Sequence, residues 1–244
     1  ENIGARRWNA RVRARLRESR LRGTGLMAES LARATPPPAT LLTASAVGIY
    51  GDRGDEPLTE DAPPGQGFLA DLCREWEAAA EPAARAGIRV VRLRTATVLT
   101  RAGGALPRML LPFRLGLGAR FGHGRQYFSW IAAEDVVPAI QWLLAHPGVD
   151  GPVNLAAPQA VTNAEFTRTL ARVLRRPAVF AVPGFALRLL VGGLADEGLL
   201  ASQRAVPRRL LDSGFAFAEP ALEPALRRIL ADDGGRPTAA SGRR

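Results

Sequence analysis

The stretch Leu41–Glu56, LLTASAVGIYGDRGDE, decides how the chain is read. Leu41, Leu42, Thr43 and Ala44 make a short apolar run ending in Ser45, after which Gly48, Gly51, Asp52, Arg53, Gly54 and Asp55 break any regular period. The pattern predicts a buried strand that empties into a polar loop. In open α/β sheets ligands bind outside the carboxyl ends of the strands, so a hydroxyl at such an exit is placed for chemistry. A small residue packed closely under a helix explains Ser45 equally well at this point.

Working outward, helical and strand patterns alternate. Upstream, Trp8–Ala34 carries Val12, Leu16, Leu21, Leu26 and Leu31 as the apolar positions of a helix, with Gly23 and Gly25 loosening its middle and Pro36, Pro37 and Pro38 ending it. Downstream, Phe68–Ala86 reads as a second helix with Leu69, Leu72, Trp76 and Ala79/Ala80 on one stripe, closed by Gly87. Ile88–Leu93 is a β-branched strand with Arg94, Thr95 and Thr97 at or just past its exit. Two helix-to-strand steps in succession predict a parallel sheet with right-handed crossovers.

Leu106–Phe113 reads as a short helix, Tyr127–Ile131 as a strand, Glu134–Ala145 as a helix and Val153–Ala156 as a strand. Between the first two lies Gly116–Arg125, glycine-rich but without G-x-G-x-x-G spacing or a preceding strand, which predicts a flexible loop on the substrate side. Thr162-Asn-Ala-Glu165 is a capping box opening a helix with Phe166, Leu170, Val173 and Leu174. From Pro183 the pattern shortens to helical pieces at Phe185–Leu190, Leu199–Leu211 and Ala221–Leu230, with Phe215-Ala-Phe217 as a small strand or turn. The expected organisation is a main domain over 1–182, a small mainly helical lobe over 183–231, and a polar, small-residue tail over 232–244 that reads as disordered.

Composition narrows the chemistry. All 33 basic residues are arginine, so mechanisms that need lysine, such as Schiff-base chemistry or a phosphate loop ending in Gly-Lys, are excluded. The formal charge of +10 is concentrated at the ends: residues 1–22 carry +6 and residues 203–244 carry +3. Apart from Trp8 the basic N-terminal helix has no interleaved aromatics, so it reads as a solvated arginine face and no nucleic-acid partner is expected. Cys73, the single cysteine, and His123 and His146, the only histidines, rule out a disulfide and give no expectation of a metal site; Asp52, Asp55 and Glu56 read as turn chemistry. No apolar run reaches the roughly 18 residues of a membrane span and nothing resembles a signal peptide, so a cytoplasmic location without a membrane partner is expected.

Several of these segments carry a resemblance. Ser45-Ala-Val-Gly-Ile-Tyr50-Gly51, Leu93-Arg94, Trp130 to Asp135 and Val153-Asn-Leu-Ala156 resemble, in this order, the extended short-chain dehydrogenases. Glu1-Asn-Ile-Gly with Arg6-Arg-Trp8, Ser45 to Gly54 and Pro158 to Phe166 narrow the likeness to the atypical "epimerase family", NAD-dependent epimerase/dehydratase-like proteins with a C-terminal domain of unknown function. The resemblance implies a Rossmann-type doubly wound parallel sheet, incomplete here at its N-terminus because Glu1 falls after the family's glycine-rich cofactor turn. It also implies NAD or NADP as cofactor and an epimerase or oxidoreductase acting on an unknown small molecule. In typical members a tyrosine, acidified by a lysine four residues on, exchanges a proton with the substrate. Matching the later glutamate of that helix to Glu77 puts Leu69 and Cys73 at those two positions, so a non-catalytic dinucleotide sensor, an interaction module or a non-functional fragment stands as the alternative.

The residues left to make a pocket are Ser45 and Tyr50 as catalytic hydroxyls, with Ser45, Arg94 and Thr95 beside the cofactor. Arg125 and Asn154 are the candidates for the substrate, Arg125 because a guanidinium fork suits a nucleotide diphosphate.

Overall fold

In a computed structural model, which describes residues 3–4 and 6–231, Thr40–Ala46 is the strand that the opening stretch predicts (β1). Glu1, Asn2, Ala5 and the expected disordered tail 232–244 lie outside the described residues. The first helix, α1, spans Ala10–Ala32 and starts where the Asn9 side chain accepts the Val12 N–H at 2.9 Å. Gly23 and Gly25 do not break it. After β1 a 3-10 turn, Val47–Tyr50, leads to the short β2, Pro57–Leu58.

The single helix expected over Phe68–Ala86 is two: α2, Phe68–Ala78, and α3, Glu81–Arg85. Pro82 falls in the first turn of α3, where its missing N–H leaves no helical bond unmade, so it suits the start of a new helix. Then follow β3 (Arg89–Thr95), β4 (Thr97–Leu99), α4 (Ala105–Arg114), β5 (Ala119–Phe121), β6 (Tyr127–Phe128), β7 (Trp130–Ala132), α5 (Ala133–Ala145), β8 (Gly151–Leu155), β9 (Val161–Thr162) and α6 (Asn163–Leu174). The chain continues through β10 (Phe180–Val182), α7 (Gly184–Val191), a π-helical turn at Ala195–Leu199, β11 (Arg204–Ala205), α8 (Arg208–Asp212) and α9 (Leu222–Ala231).

The fold is α/β and Rossmann-like. Its central sheet runs β1-β3-β8, all parallel, and β1 pairs on one side only among the described residues. Period-2 alternation divides the two faces. Leu41 and Val90 pack with Ala28 and Leu31 of α1 and Ala80, Ala83 and Ala84 around α3, whereas Val91, Leu93, Val153 and Leu155 pack with Ala139 and Leu143 of α5. Helices therefore cover both faces.

Three local expectations are corrected. The Gly116–Arg125 stretch contains β5, which pairs in parallel with β10, so its middle is a ladder rather than an open loop. Leu199–Leu211 is not one helical piece: Arg204–Ala205 extends to pair with β2. Phe215 and Phe217 lie in neither a strand nor a turn but stack edge-to-face at 4.8 Å, with Phe215 against Trp142. The C-terminal helices share their core with earlier elements, since Leu222, Ala225, Leu226 and Ile229 pack with Leu106, Leu110, Phe166 and Leu170.

Backbone crowding explains two glycines, Gly51 and Gly65. Gly51 has φ +64° and a Cβ there would meet the Gln66 carbonyl at 2.8 Å, while one on Gly65 would collide with the Tyr50 carbonyl.

The capping box at α6 is complete. Thr162 Oγ1 accepts the Glu165 N–H at 3.2 Å, and Glu165 Oε2 accepts the Thr162 N–H at 2.7 Å and its hydroxyl at 2.8 Å. Those bonds from Thr162 hold the Glu165 carboxyl below its usual value. Thr162→Ala should cost about 1 kcal/mol in urea unfolding at neutral pH. The carboxylate's contribution is present above its unfolded value, about 4.3, and fades as pH falls through the lower folded one. The gap in Tm between wild type and variant should therefore narrow below about pH 4; a gap constant down to pH 3 would contradict this account.

Candidate functional site

Register brings the sequence candidates together. Ser45 pairs with Arg94, and Arg94 with Asn154, so the three form one row across β1, β3 and β8 near their carboxyl ends and project to one face. They are 4%, 6% and 0% exposed, which means every polar atom needs a partner. Glu77, from α2, supplies most of them. Ser45 Oγ donates to Glu77 Oε1 at 2.7 Å, and Arg94 Nε and Nη2 grip Oε1 and Oε2 at 2.9 and 3.1 Å. Arg94 Nη1 donates to the Tyr50 hydroxyl at 3.1 Å and to the Glu60 carbonyl at 3.0 Å. Tyr50 in turn donates to Asn154 Oδ1 at 2.7 Å, and Asn154 Nδ2 donates to the Leu58 and Val206 carbonyls, each at 2.9 Å.

The electrostatics follow from this wiring. Burial works against the Arg94 charge, but the bonds to Glu77 and Tyr50 outweigh it and raise its pKa. Burial pushes the Tyr50 phenol up, against the pull of Arg94. Glu60 is also raised by burial: its Oε1 accepts the Asn154 and Arg209 N–H groups at 3.0 and 3.2 Å, while Oε2 is buried without a hydrogen-bond partner among the described residues.

This wiring decides what each candidate side chain has to spare. Arg94 has no free fork for a bound anion, because its donors are committed to Glu77, Tyr50 and a carbonyl. Ser45 and Tyr50 do not stand open at the strand exits; both are buried with their hydroxyl protons committed to Glu77 and Asn154. Thr95 Oγ1 bonds back to the Leu93 carbonyl of its own strand at 3.2 Å. Arg125 is exposed and outside the row, with its backbone N–H on His123 Nδ1 at 3.0 Å. Sequence reading missed Glu77 and Glu60 as network members. Glu77 left one signal: Leu69, Cys73 and Glu77 share a stripe of α2, and a carboxylate on a buried stripe implies a partner.

Open space lies just beyond the row. A cleft of about 230 Å³ is bounded by Gly48, Gly51, Asp52, Leu69, Asp196 and Glu197. Glu197 closes it from the C-terminal segment, accepting the Leu69 N–H at the start of α2 at 2.7 Å and pairing with Arg13 at 3.6 Å. A more enclosed space of about 40 Å³ opens beside Val47 and Thr97, which follow the ends of β1 and β3, and is also lined by Gln126 and Asn163. Cys73 lies under β1, its thiol pushed up to about 11 by burial and by the Glu77 charge.

Residues 2–156 match the NAD dependent epimerase/dehydratase family, and residues 182–229 match a domain of unknown function, DUF1731. The chain belongs to the NAD-dependent epimerase/dehydratase family. It is 48% identical to the epimerase family protein MT2273 of Mycobacterium tuberculosis, over 92% of this chain and 74% of that protein. The crystal structure of human epimerase family protein SDR39U1 (isoform 2) with NADPH superposes with a TM-score of 0.90 at 36% identity, covering 95% of this chain and 79% of that one. A structure described as the nucleoside-diphosphate sugar epimerase from Corynebacterium glutamicum gives a TM-score of 0.76, also at 36% identity, covering 93% of this chain and 44% of that one. No helix among the described residues is long and apolar enough to cross a membrane.

In this family member the ion pair under α2 should behave as one unit. Glu77→Leu or Arg94→Leu alone strands a buried charge and should cost about 3–5 kcal/mol in urea unfolding. The double variant should cost clearly less than the sum of the two. Strict additivity would mean the groups do not interact as described.

Proposed function

We propose that the chain acts as an NAD(P)-dependent epimerase- or oxidoreductase-like protein on a small molecule bound outside the carboxyl ends of β1 and β3. The observation that carries this is the space beside Val47 and Thr97, which follow the ends of β1 and β3, on a fold superposing at a TM-score of 0.90 with a relative crystallised with NADPH. A nucleotide-linked substrate is favoured, because a 36% identical structure is described as a nucleoside-diphosphate sugar epimerase and because exposed Arg125 leaves a guanidinium fork free for phosphate.

The residues present fit one end of such a cofactor. Val47, Thr97 and Gln126 give the strand exits a neutral lining that suits an uncharged ring. Ser45, Arg94 and Thr95 hold the strand ends against which it would lie. For the pyrophosphate, the start of α2 is not free, because it already holds the Glu197 carboxylate. The nicotinamide, when bound, would give or accept hydride. Proton exchange by Ser45 or Tyr50 in that reaction requires their buried network to open. Leu69 and the buried Cys73 offer no substitute, which supports a dinucleotide sensor as the second reading.

Titration of the chain with NADPH and with NADH, following nicotinamide fluorescence, tests both. Saturable binding of at least one is expected. No change with either at millimolar concentration would sink enzyme and sensor alike. If binding is seen, Ser45→Ala should weaken it less than tenfold, since Ser45 acts on the strand end rather than on the ligand.

A further inference from the structure

The enclosed space beside Val47 and Thr97 has a chemistry of its own. Gln126, in the link between β5 and β6, is 3% exposed. Its Nε2 donates to the Phe121 and Leu199 carbonyls at 3.0 and 3.1 Å, which fixes the orientation of the amide and uses both of its N–H groups. Oε1 remains, buried and without a hydrogen-bond partner among the described residues. Opposite in kind is Asn163, the first residue of α6, which is 5% exposed. Its Oδ1 accepts the Phe121 N–H at 2.7 Å, while its Nδ2 donates to none of the described residues. The Gln203 side-chain amide, on the same wall, is also without a protein partner among them.

A buried acceptor left unpaired is costly, and native structures rarely keep one without a purpose. Here Gln126 lines a space of about 40 Å³ together with an unused amide donor, and no Asp, Glu, Arg or His contributes to the wall. A carboxylate or phosphate would set its lone pairs against Gln126 Oε1, and an ammonium would be desolvated with no counter-charge. The geometry points to a subsite for one compact neutral group that both donates and accepts hydrogen bonds, a hydroxyl or a primary carboxamide, with Gln126 as the residue that selects it. The inference rests on the functional reading above and narrows it: anionic parts of any ligand must lie elsewhere, and the group seated at the ends of β1 and β3 is uncharged. Two sources share this chemistry, the carboxamide of a nicotinamide and a hydroxyl of the substrate.

Heteronuclear NMR of the ¹⁵N-labelled chain separates them. The side-chain NH₂ pair of Gln126 is assigned by its loss in Gln126→Met and followed while NADPH, its 3-acetylpyridine analogue, UDP-glucose and inorganic phosphate are added in turn. Binding of each ligand is measured independently by calorimetry. A shift of the Gln126 pair that saturates with NADPH, together with at least tenfold weaker binding of the acetylpyridine analogue, supports the subsite and assigns it to the carboxamide. A shift that saturates with UDP-glucose supports it and assigns it to a hydroxyl. In either case Gln126→Met should weaken the same ligand at least tenfold; if that variant does not fold, the wild-type shifts still decide. NADPH or UDP-glucose binding with the Gln126 pair unmoved would overturn the subsite and leave the family reading intact. A shift driven by phosphate would overturn its neutral character. Failure of both ligands to bind would overturn the subsite and the functional reading together.

Discussion

A guanidinium that cannot reach water governs this structure. Arg94 sits in the middle strand of the central sheet with its charge met by both oxygens of Glu77, and each of its other contacts comes from a different segment: Tyr50 from the loop after β1, Glu60 from the loop after β2. Removing one partner strands the other charge, whereas replacing the pair by apolar groups is often tolerated. The pair is therefore better understood as a device that fixes where α2, β1, β3 and their exit loops meet than as a net source of stability. Asn154 extends the same logic to β8 and, through the Val206 carbonyl, to the C-terminal segment.

That segment completes the site instead of hanging from it. Strand β11 adds to β2, and the π-helical turn carries Glu197 to the N-terminus of α2, where its charge meets both the helix dipole and Arg13. Gln126 reaches the Leu199 carbonyl of the same turn. A π-helical turn places carbonyls and side chains out of α-helical step, and such turns recur at functional sites. Here it presents a carboxylate to one wall of the cleft and a carbonyl to Gln126.

Much of the fold was legible because it follows from short-range rules. A short apolar run gave β1, a β-branched run gave β3, and the Thr162 to Glu165 box gave the start of α6. The errors came where distant chain decides. β5 and β11 are three- and two-residue strands held by partners far away in sequence, and Pro82 restarts a helix whose apolar stripe ran on without interruption. The candidate site was legible as a set but not as a geometry. Ser45, Arg94 and Asn154 could be picked out as polar residues at strand ends, yet that they would share one row depends on register, and register is a property of pairing. Glu77 and Gln126 lacked any pattern apart from being polar where burial was expected.

The network also limits what chemistry the strand ends can perform. A group that trades protons with a ligand must touch it and must have a proton affinity matched to the exchange. Tyr50 is fully buried, and that burial pushes its phenol further above neutrality than a free one. Ser45 is likewise buried, with its hydroxyl donating to Glu77 Oε1. Cys73, at about 11, holds its proton too firmly under β1 to act as a base near neutral pH. What the strand ends do offer is shape and neutral hydrogen bonding, from Val47, Thr97, Gln126 and Asn163. Such a wall can orient an uncharged group against a cofactor ring without exchanging a proton with it. For Ser45 or Tyr50 to exchange a proton in a reaction here, the buried network that holds their hydroxyls would first have to open.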